Sequence, residues 1–281
     1  MVGSAGSTRR TRPLFKRSRT AGSAAALIAL SVALTGCGGD APAATAPLKP
    51  ELVKAGTLTV CTSLPYEPFE FKKKGEIVGF DIDLANEVAK KLGVTSKMVN
   101  TDFDAIQSGA PLNEGKCDVA VAGLTITGER ARVLDFSSPY FNAAQAMVVP
   151  TGSELSTLEG LSDQKVGVQA GTTGELYVRD NAPGDTEVVT FDDASEIDAA
   201  LNAGDVDAGV YDNTVVGDVV DRNPGFEVAA EFNTGEQYGM AVRKNGSVDL
   251  LRTINDELAK LAKNGGYDTI YATWFGSAPK G

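Results

Sequence analysis

Asp118-Val119-Ala120-Val121-Ala122-Gly123-Leu124-Thr125-Ile126-Thr127-Gly128-Glu129-Arg130 is the stretch on which the reading of this 281-residue chain turns. Its opening residues alternate small and β-branched apolar side chains, as a strand buried on both faces requires. Gly123 lacks a Cβ, so another group can come close to the main chain there. Thr125 and Thr127 add hydroxyls, and Arg130 follows at the start of a short polar turn. A strand end with a glycine, two hydroxyls and a guanidinium is a receiver for a small carboxylate, which guanidinium binds through two parallel hydrogen bonds. An ordinary strand and turn with a surface arginine has the same local pattern, so the rest of the chain must separate the two.

Upstream, residues 1–36 hold six basic residues and no acid. The apolar run over 24–34 is too short to span a bilayer but suits the core of a signal peptide. It ends in Leu34-Thr35-Gly36-Cys37, which resembles a lipobox, with Cys37 as the residue that is lipidated and becomes the new N-terminus; a cleaved signal beside an incidental cysteine is the alternative. Residues 37–55 are rich in Gly, Ala, Pro and Thr, the composition of a flexible tether. Without its first 36 residues the chain keeps 20 of its 26 cations against 37 acids, a net charge of −17. That balance disfavours nucleic acid and anionic lipid surfaces as partners.

Histidine is absent, which excludes His-based triads and His zinc sites. There is no phosphate-loop pattern, no Gly-x-Ser-x-Gly elbow and no Cys-x-x-Cys, so no metal or cofactor is expected. From Gly56 onward strand and helix patterns alternate, an α/β architecture with parallel sheets. A first strand is expected over 58–62, broken by Pro65 and Pro68. A helix follows to Leu92, with Asp81 and Asp83 in its first turn and Gly93 as its stop. A weak strand is expected over 98–100 and a helix over 105–114. Downstream, strands are read at 165–169, 186–191 and 208–211, and helices at 173–181, 194–203, 212–221 and 248–262.

Four landmarks then occur in order. Gly79-Phe80-Asp81-Ile82-Asp83-Leu84, the Thr125–Arg130 and Phe136–Tyr140 segments, Val166-Gly167-Val168-Gln169-Ala170-Gly171-Thr172-Thr173, and an ending that runs from Asn264-Gly265-Gly266-Tyr267 to Trp274-Phe275-Gly276 resemble the family 3 extracellular solute-binding proteins, the polar amino-acid receptors of ABC importers. The resemblance spans residues 56–277. It implies a two-lobed periplasmic-binding-protein-like fold of type II, with two crossover strands as hinge. Lobe 1 is expected over 56–145 plus 240–281, and lobe 2 with the hinge strands over 146–239; residues 145–150 would carry the outgoing crossover and 237–239 would begin the return.

The resemblance also implies a site. Arg130 would clamp the α-carboxylate, helped by Thr125 and the backbone N–H of Thr173 at a helix N-terminus. Asp212 would take the α-ammonium, or else merely cap a helix. Tyr66 and Phe103 would sandwich the ligand side chain, unless Phe103 is simply core. Ala122 and Gly123 would offer main-chain contacts, and Gln169, Tyr211 and Thr172 would be neutral hydrogen-bonding neighbours. Relatives that bind basic amino acids commonly carry an acid where this chain has Ser63, and Glu67 is expected to point to solvent. The implied order is therefore glutamine-like over acidic over basic ligands. The implied protein is an exported monomer, lipid-anchored at the outer face of the cytoplasmic membrane, that hands a free amino acid to an ABC permease. An enzyme on the same fold, resembling cyclohexadienyl dehydratases, is the alternative; it would need Glu67 or Asp212 as its acid or base. Cys61 and Cys117 would share an oxidising compartment, although the expected strand register could hold them too far apart for a bridge.

Overall fold

The computed structural model describes residues 50–277; the signal peptide, Cys37 and most of the tether expected above lie outside them. The chain enters through β1 (Thr57–Thr62), whose residues from Leu58 onward are buried. A hairpin of β2 (Phe71–Lys73) and β3 (Glu76–Val78) leads to α1 (Phe80–Leu92). Phe80, Leu84, Val88 and Ala89 of α1 are buried, and Gly93 ends the helix in the left-handed conformation at φ 69°, which glycine adopts without a Cβ clash. The weak strand is a full one, β4 (Thr95–Asn100). The single helix expected over 105–114 is two short ones, α2 (Phe103–Gln107) and α3 (Ala110–Asn113). Gly109, at φ 79°, breaks them apart, and Pro111 suits the first turn of the second.

The quoted stretch forms β5 (Val119–Ala120), followed by the turn to α4 (Arg130–Val133), β6 (Leu134–Phe136) and the ten-residue β7 (Phe141–Pro150). Then come β8 (Lys165–Gln169), α5 (Thr173–Asn181), β9 (Glu187–Phe191), α6 (Ala194–Ala203), β10 (Ala208–Asp212) and α7 (Val216–Arg222). Asp212 therefore closes a strand rather than opening a helix. Next is β11 (Phe226–Tyr238), a thirteen-residue strand of which the sequence suggested only the last few residues. The chain ends in β12 (Ala241–Arg243), α8 (Val248–Asn264) and α9 (Gly266–Phe275).

Two five-stranded sheets result, in the orders β4-β1-β5-β12-β6 and β11-β7-β10-β8-β9. In the first, β1 runs parallel to β4 and β5, while β12 is antiparallel to both its neighbours. In the second, β8 is parallel to β9 and β10, and β7 is antiparallel to β10 and β11. α1, α8 and α9 pack together beside the first sheet, and α5 and α6 pack on the second. This is the mixed α/β, two-lobed type II architecture.

Cys61 and Cys117 are joined in a disulfide with their Cα atoms 5.7 Å apart. Val60 pairs with Val119 and Cys61 with Ala120, so Cys117 lies just outside the ladder. There the chain turns back toward Pro111, which brings the two cysteines within reach.

Candidate functional site

The cleft between the two sheets is walled from both sides. From the first come Ser63, Tyr66, Phe103, Ala122, Gly123 and Thr125; from the second come Gln169, Thr172, Thr173, Tyr211 and Asp212. Every wall residue expected from the sequence is thus brought to one place. Arg130 sits just behind the wall, 4% exposed, with its guanidinium 5.3 Å above the Phe103 ring. Phe103 is therefore both core and platform.

In this structure Arg130 does not face a free carboxylate. Its Nη1 donates to the Thr125 carbonyl at 2.8 Å and its Nη2 to the Gly171 carbonyl at 2.8 Å, so it ties the two sides of the cleft together. Gly171 comes so close to α2 that a Cβ there would lie 2.7 Å from an Asp104 oxygen; only glycine permits this approach. Burial pulls the Arg130 guanidinium down to about 10, with Asp212 and Glu236 pulling the other way. It stays charged at neutral pH.

Asp212, at the end of β10, accepts from Gln145 Nε2 at 2.6 Å and from the buried Tyr238 hydroxyl. That hydroxyl also meets Tyr66 Oη at 3.2 Å and Thr214 Oγ1 at 2.9 Å. Burial and the like charge of Glu236 push the Asp212 carboxyl up to about 6, against the lowering effect of its donors. An ammonium arriving here would relieve both penalties.

Three of the expected site residues use their polar groups within the chain. The close approach at Gly123 is by the chain itself: a Cβ would lie 2.7 Å from the Tyr66 ring, and φ is +52°. The Gly123 N–H is already given to Asp81 Oδ2 at 2.8 Å. The Tyr211 hydroxyl donates to Asp198 Oδ1 at 2.8 Å and Gln169 Nε2 to the Asp192 carbonyl at 3.0 Å, so Tyr211 offers a ring and Gln169 mainly its oxygen. Glu67, by contrast, lies where expected, in a partly exposed ion pair with Arg222 at 2.8 Å.

The largest revision concerns charge in the cleft wall. Ser63 is neutral, yet an acid, Glu70, lines the same cleft. It is 0% exposed, and among the described residues its only side-chain hydrogen-bond partner is the neighbouring Asp81 carboxyl. Asp81 is itself buried, and its Oδ1 has no other donor. Two carboxyls can face each other only by sharing a proton. Burial, then Asp81, pushes the Glu70 carboxyl well up, and burial pushes Asp81 up to about 7 against donors at Gly123 and Tyr140. Glu70 was missed because it falls seven residues after Ser63, past two prolines. Only the Tyr66–Glu70 bridge, with Tyr66 N donating to the Glu70 carbonyl at 2.7 Å, folds it back beside the strand end. The prolines and the alternation Phe69-Glu70-Phe71 were the available signals.

Among the described residues no group of three or more His, Cys, Asp or Glu side chains could hold a metal ion, and no helix is long and apolar enough to cross a membrane.

The model of the bacterial extracellular solute-binding proteins, family 3, matches residues 58–277. A probable histidine-binding protein of Neisseria gonorrhoeae is 35% identical over 260 residues, 90% of this chain and 94% of that protein. An ancestral arginine-binding protein solved with arginine bound is 47% identical, with a TM-score of 0.75 over 78% of this chain and 98% of the other. An ancestral arginine-binding protein solved with glutamine bound is also 47% identical, with a TM-score of 0.76 over 80% and 100%.

Proposed function

We propose that this chain, which belongs to the bacterial extracellular solute-binding proteins of family 3, captures a free α-amino acid with a long cationic side chain, arginine first, and delivers it to an ABC permease. The observation that carries this is an acid in the cleft wall. Glu70 is buried, lines the wall and, among the described residues, has only the Asp81 carboxyl as side-chain partner. A guanidinium would supply two parallel N–H donors and a counter-charge. The α-ammonium would go to Asp212 and the α-carboxylate to Thr125, the Thr173 N–H and Arg130, released from its carbonyl partners. Tyr66 and Phe103 would flank the aliphatic stem.

Glutamine is the second reading, favoured by the buried carboxyl pair itself: with Glu70 protonated, the pair offers an O–H to an amide oxygen and keeps acceptors for its N–H groups. The ancestral arginine-binding proteins solved with arginine and with glutamine support keeping both. The Neisseria relative is described as a probable histidine-binding protein, a third nitrogen-rich side chain. Binding rather than catalysis is favoured because the acids of the cleft are already matched to ligand charges.

The two lobes are taken to divide at 145/146 and 239/240, with Cys37 as the lipid anchor that keeps a monomer at the outer face of the cytoplasmic membrane. A thermal-shift panel of the twenty amino acids tests the ligand reading. Arginine should stabilise most, and a ligand at a hundred times its Kd adds about 2.7 kcal/mol. An acidic amino acid as the strongest ligand would overturn it.

A further inference from the structure

The carboxylate-receiving end of the cleft already holds a carboxylate, and it belongs to the chain. Glu236 Oε2 accepts from Thr125 Oγ1 at 2.9 Å and from Thr173 Oγ1 at 2.6 Å. Its Oε1 accepts from Gln145 Nε2 at 2.9 Å and Thr234 Oγ1 at 2.7 Å. Thr125 follows β5 on one side of the cleft and Thr173 opens α5 on the other, so one side chain bridges both. The backbone is built to place it there. β11 pairs with β7 from Phe226 onward, but its register slips between Phe232, opposite Gln145, and Glu236, opposite Ala143. Three residues of β11 lie against one of β7 in that interval, with Gly235 at φ +66°, and the irregularity re-aims the strand's side chains. Burial pushes the Glu236 carboxyl up, but its four donors hold it net below the usual carboxylate range, so it is charged at neutral pH. The cleft then encloses only about 30 Å³, against roughly 150 Å³ for an apolar cavity that takes up benzene.

We propose that Glu236 is an internal competitor for the ligand's carboxylate: it holds the empty cleft closed by bridging Thr125 and Thr173, and an amino acid binds by displacing it. This rests on the functional reading above, which assigns those two threonines to the α-carboxylate. The energetic consequence is a closed, binding-incompetent population of empty protein. Apparent affinity falls by the fraction of molecules outside that population, so loss of the bridge should tighten binding.

The test uses the full chain and its E236A, E236Q and E236D variants, with solution scattering of the ligand-free proteins and calorimetry with arginine. E236A and E236Q should expand in the empty state and bind arginine about tenfold more tightly, the change expected if nine empty molecules in ten are held closed. E236D keeps the charge but not the reach to both hydroxyls, and should follow E236A. Weaker or unchanged arginine binding in E236A and E236Q would overturn the proposal, because it would make Glu236 a support of the bound state or a bystander. So would an E236D that matches wild type, which would assign the effect to charge alone. If no variant binds any amino acid, the functional reading fails by itself; expansion of the E236A and E236Q proteins would still support the bridge, and unchanged scattering would overturn it.

Discussion

Replacing Glu70 by Gln keeps the shape of the cleft wall and removes its acid. Glu70 is 0% exposed and, among the described residues, has only the Asp81 carboxyl as side-chain partner, so a bound guanidinium would find in it a fully desolvated partner. Removing one member of a buried ion pair costs about 3–5 kcal/mol. At 1.4 kcal/mol per decade, Glu70→Gln should weaken arginine binding between roughly a hundredfold and a few thousandfold, and glutamine binding by no more than a few-fold. The wild-type affinity carries a second signature. Burial holds protons on the empty carboxyl pair, with Asp81 at about 7, and a guanidinium needs the ionised form. Arginine binding should therefore release a proton and tighten as pH rises from 6 to 8, at most about tenfold per pH unit. Calorimetry in two buffers of different ionisation enthalpy at each pH reads both quantities. An E70Q protein that binds arginine within threefold of wild type, or wild-type arginine binding that is flat across this range, would refute the assignment.

Arg130→Ala should abolish amino-acid binding, at about 3–5 kcal/mol for the lost partner of a buried pair, and calorimetry should show no saturation at millimolar ligand. The Asp81 carboxyl is raised from 3.8 to about 7; its contribution to stability is fully present below pH 4 and lost as pH rises through 7, roughly 4 kcal/mol at 1.36 kcal/mol per unit. Denaturant midpoints of the ligand-free protein should accordingly fall between pH 5 and 8, and Asp81→Asn should flatten that slope. A thiol count on the unfolded protein cleaved after residue 37 should find no free thiol from Cys61 or Cys117. Replacing both by Ser should destabilise by about 4 kcal/mol, the loop-closure estimate for their separation of 56 residues. Gly123→Ala puts a Cβ 2.7 Å from the Tyr66 ring at φ +52°, and should cost both stability and affinity in the same melting and titration experiments.

How far the sequence could be read depended on whether information was local. The strand residues Val119 and Ala120, the Gly93 stop and the α5 start after Thr172 are set by patterns within a few residues, and they stand where periodicity and capping put them. The thirteen residues of β11 were nearly invisible because Glu231, Asn233, Gly235 and Gln237 alternate with half-buried neighbours and no continuous apolar run marks the strand. What makes it a strand is pairing with β7, a non-local fact. The same distinction separates the wall residues of the cleft from Glu70 and Glu236. Ser63 follows directly on β1 and Asp212 ends β10, and strand ends are legible. Glu70 reaches the cleft through a bridge beyond two prolines, and Glu236 through a register slip. Tyr211 and Gln169 line the cleft, but where their polar atoms point depends on Asp198 and the Asp192 carbonyl.

Counting charges in the cleft ties these late arrivals to the ligand. Arg130 is the one cation near the cleft among the charged residues described above, against four acids: Asp212 and Glu236, which act on it directly, and the buried pair Glu70 and Asp81. A buried group of that composition cannot stay fully ionised, and the upward shifts of Asp212, Glu70 and Asp81 express it. A zwitterion with a neutral side chain brings no net charge, so it leaves the excess of acid unchanged. A cationic amino acid would bring one positive charge to Glu70, while on the proposed reading its ammonium would take Asp212 and its carboxylate the donors that Glu236 gives up. The β11 residues beside Glu236, Gly235 and Gln237, are exposed, so a displaced carboxylate would have water to turn to. The acid that remains, Asp81, keeps its donors at Gly123 and Tyr140 and holds the strand end in place in both states. Charge neutrality thus favours arginine over glutamine on grounds independent of the shape of the cleft. The two grounds separate in one measurement: E70Q should turn an arginine-preferring protein into a glutamine-preferring one with its melting curve intact.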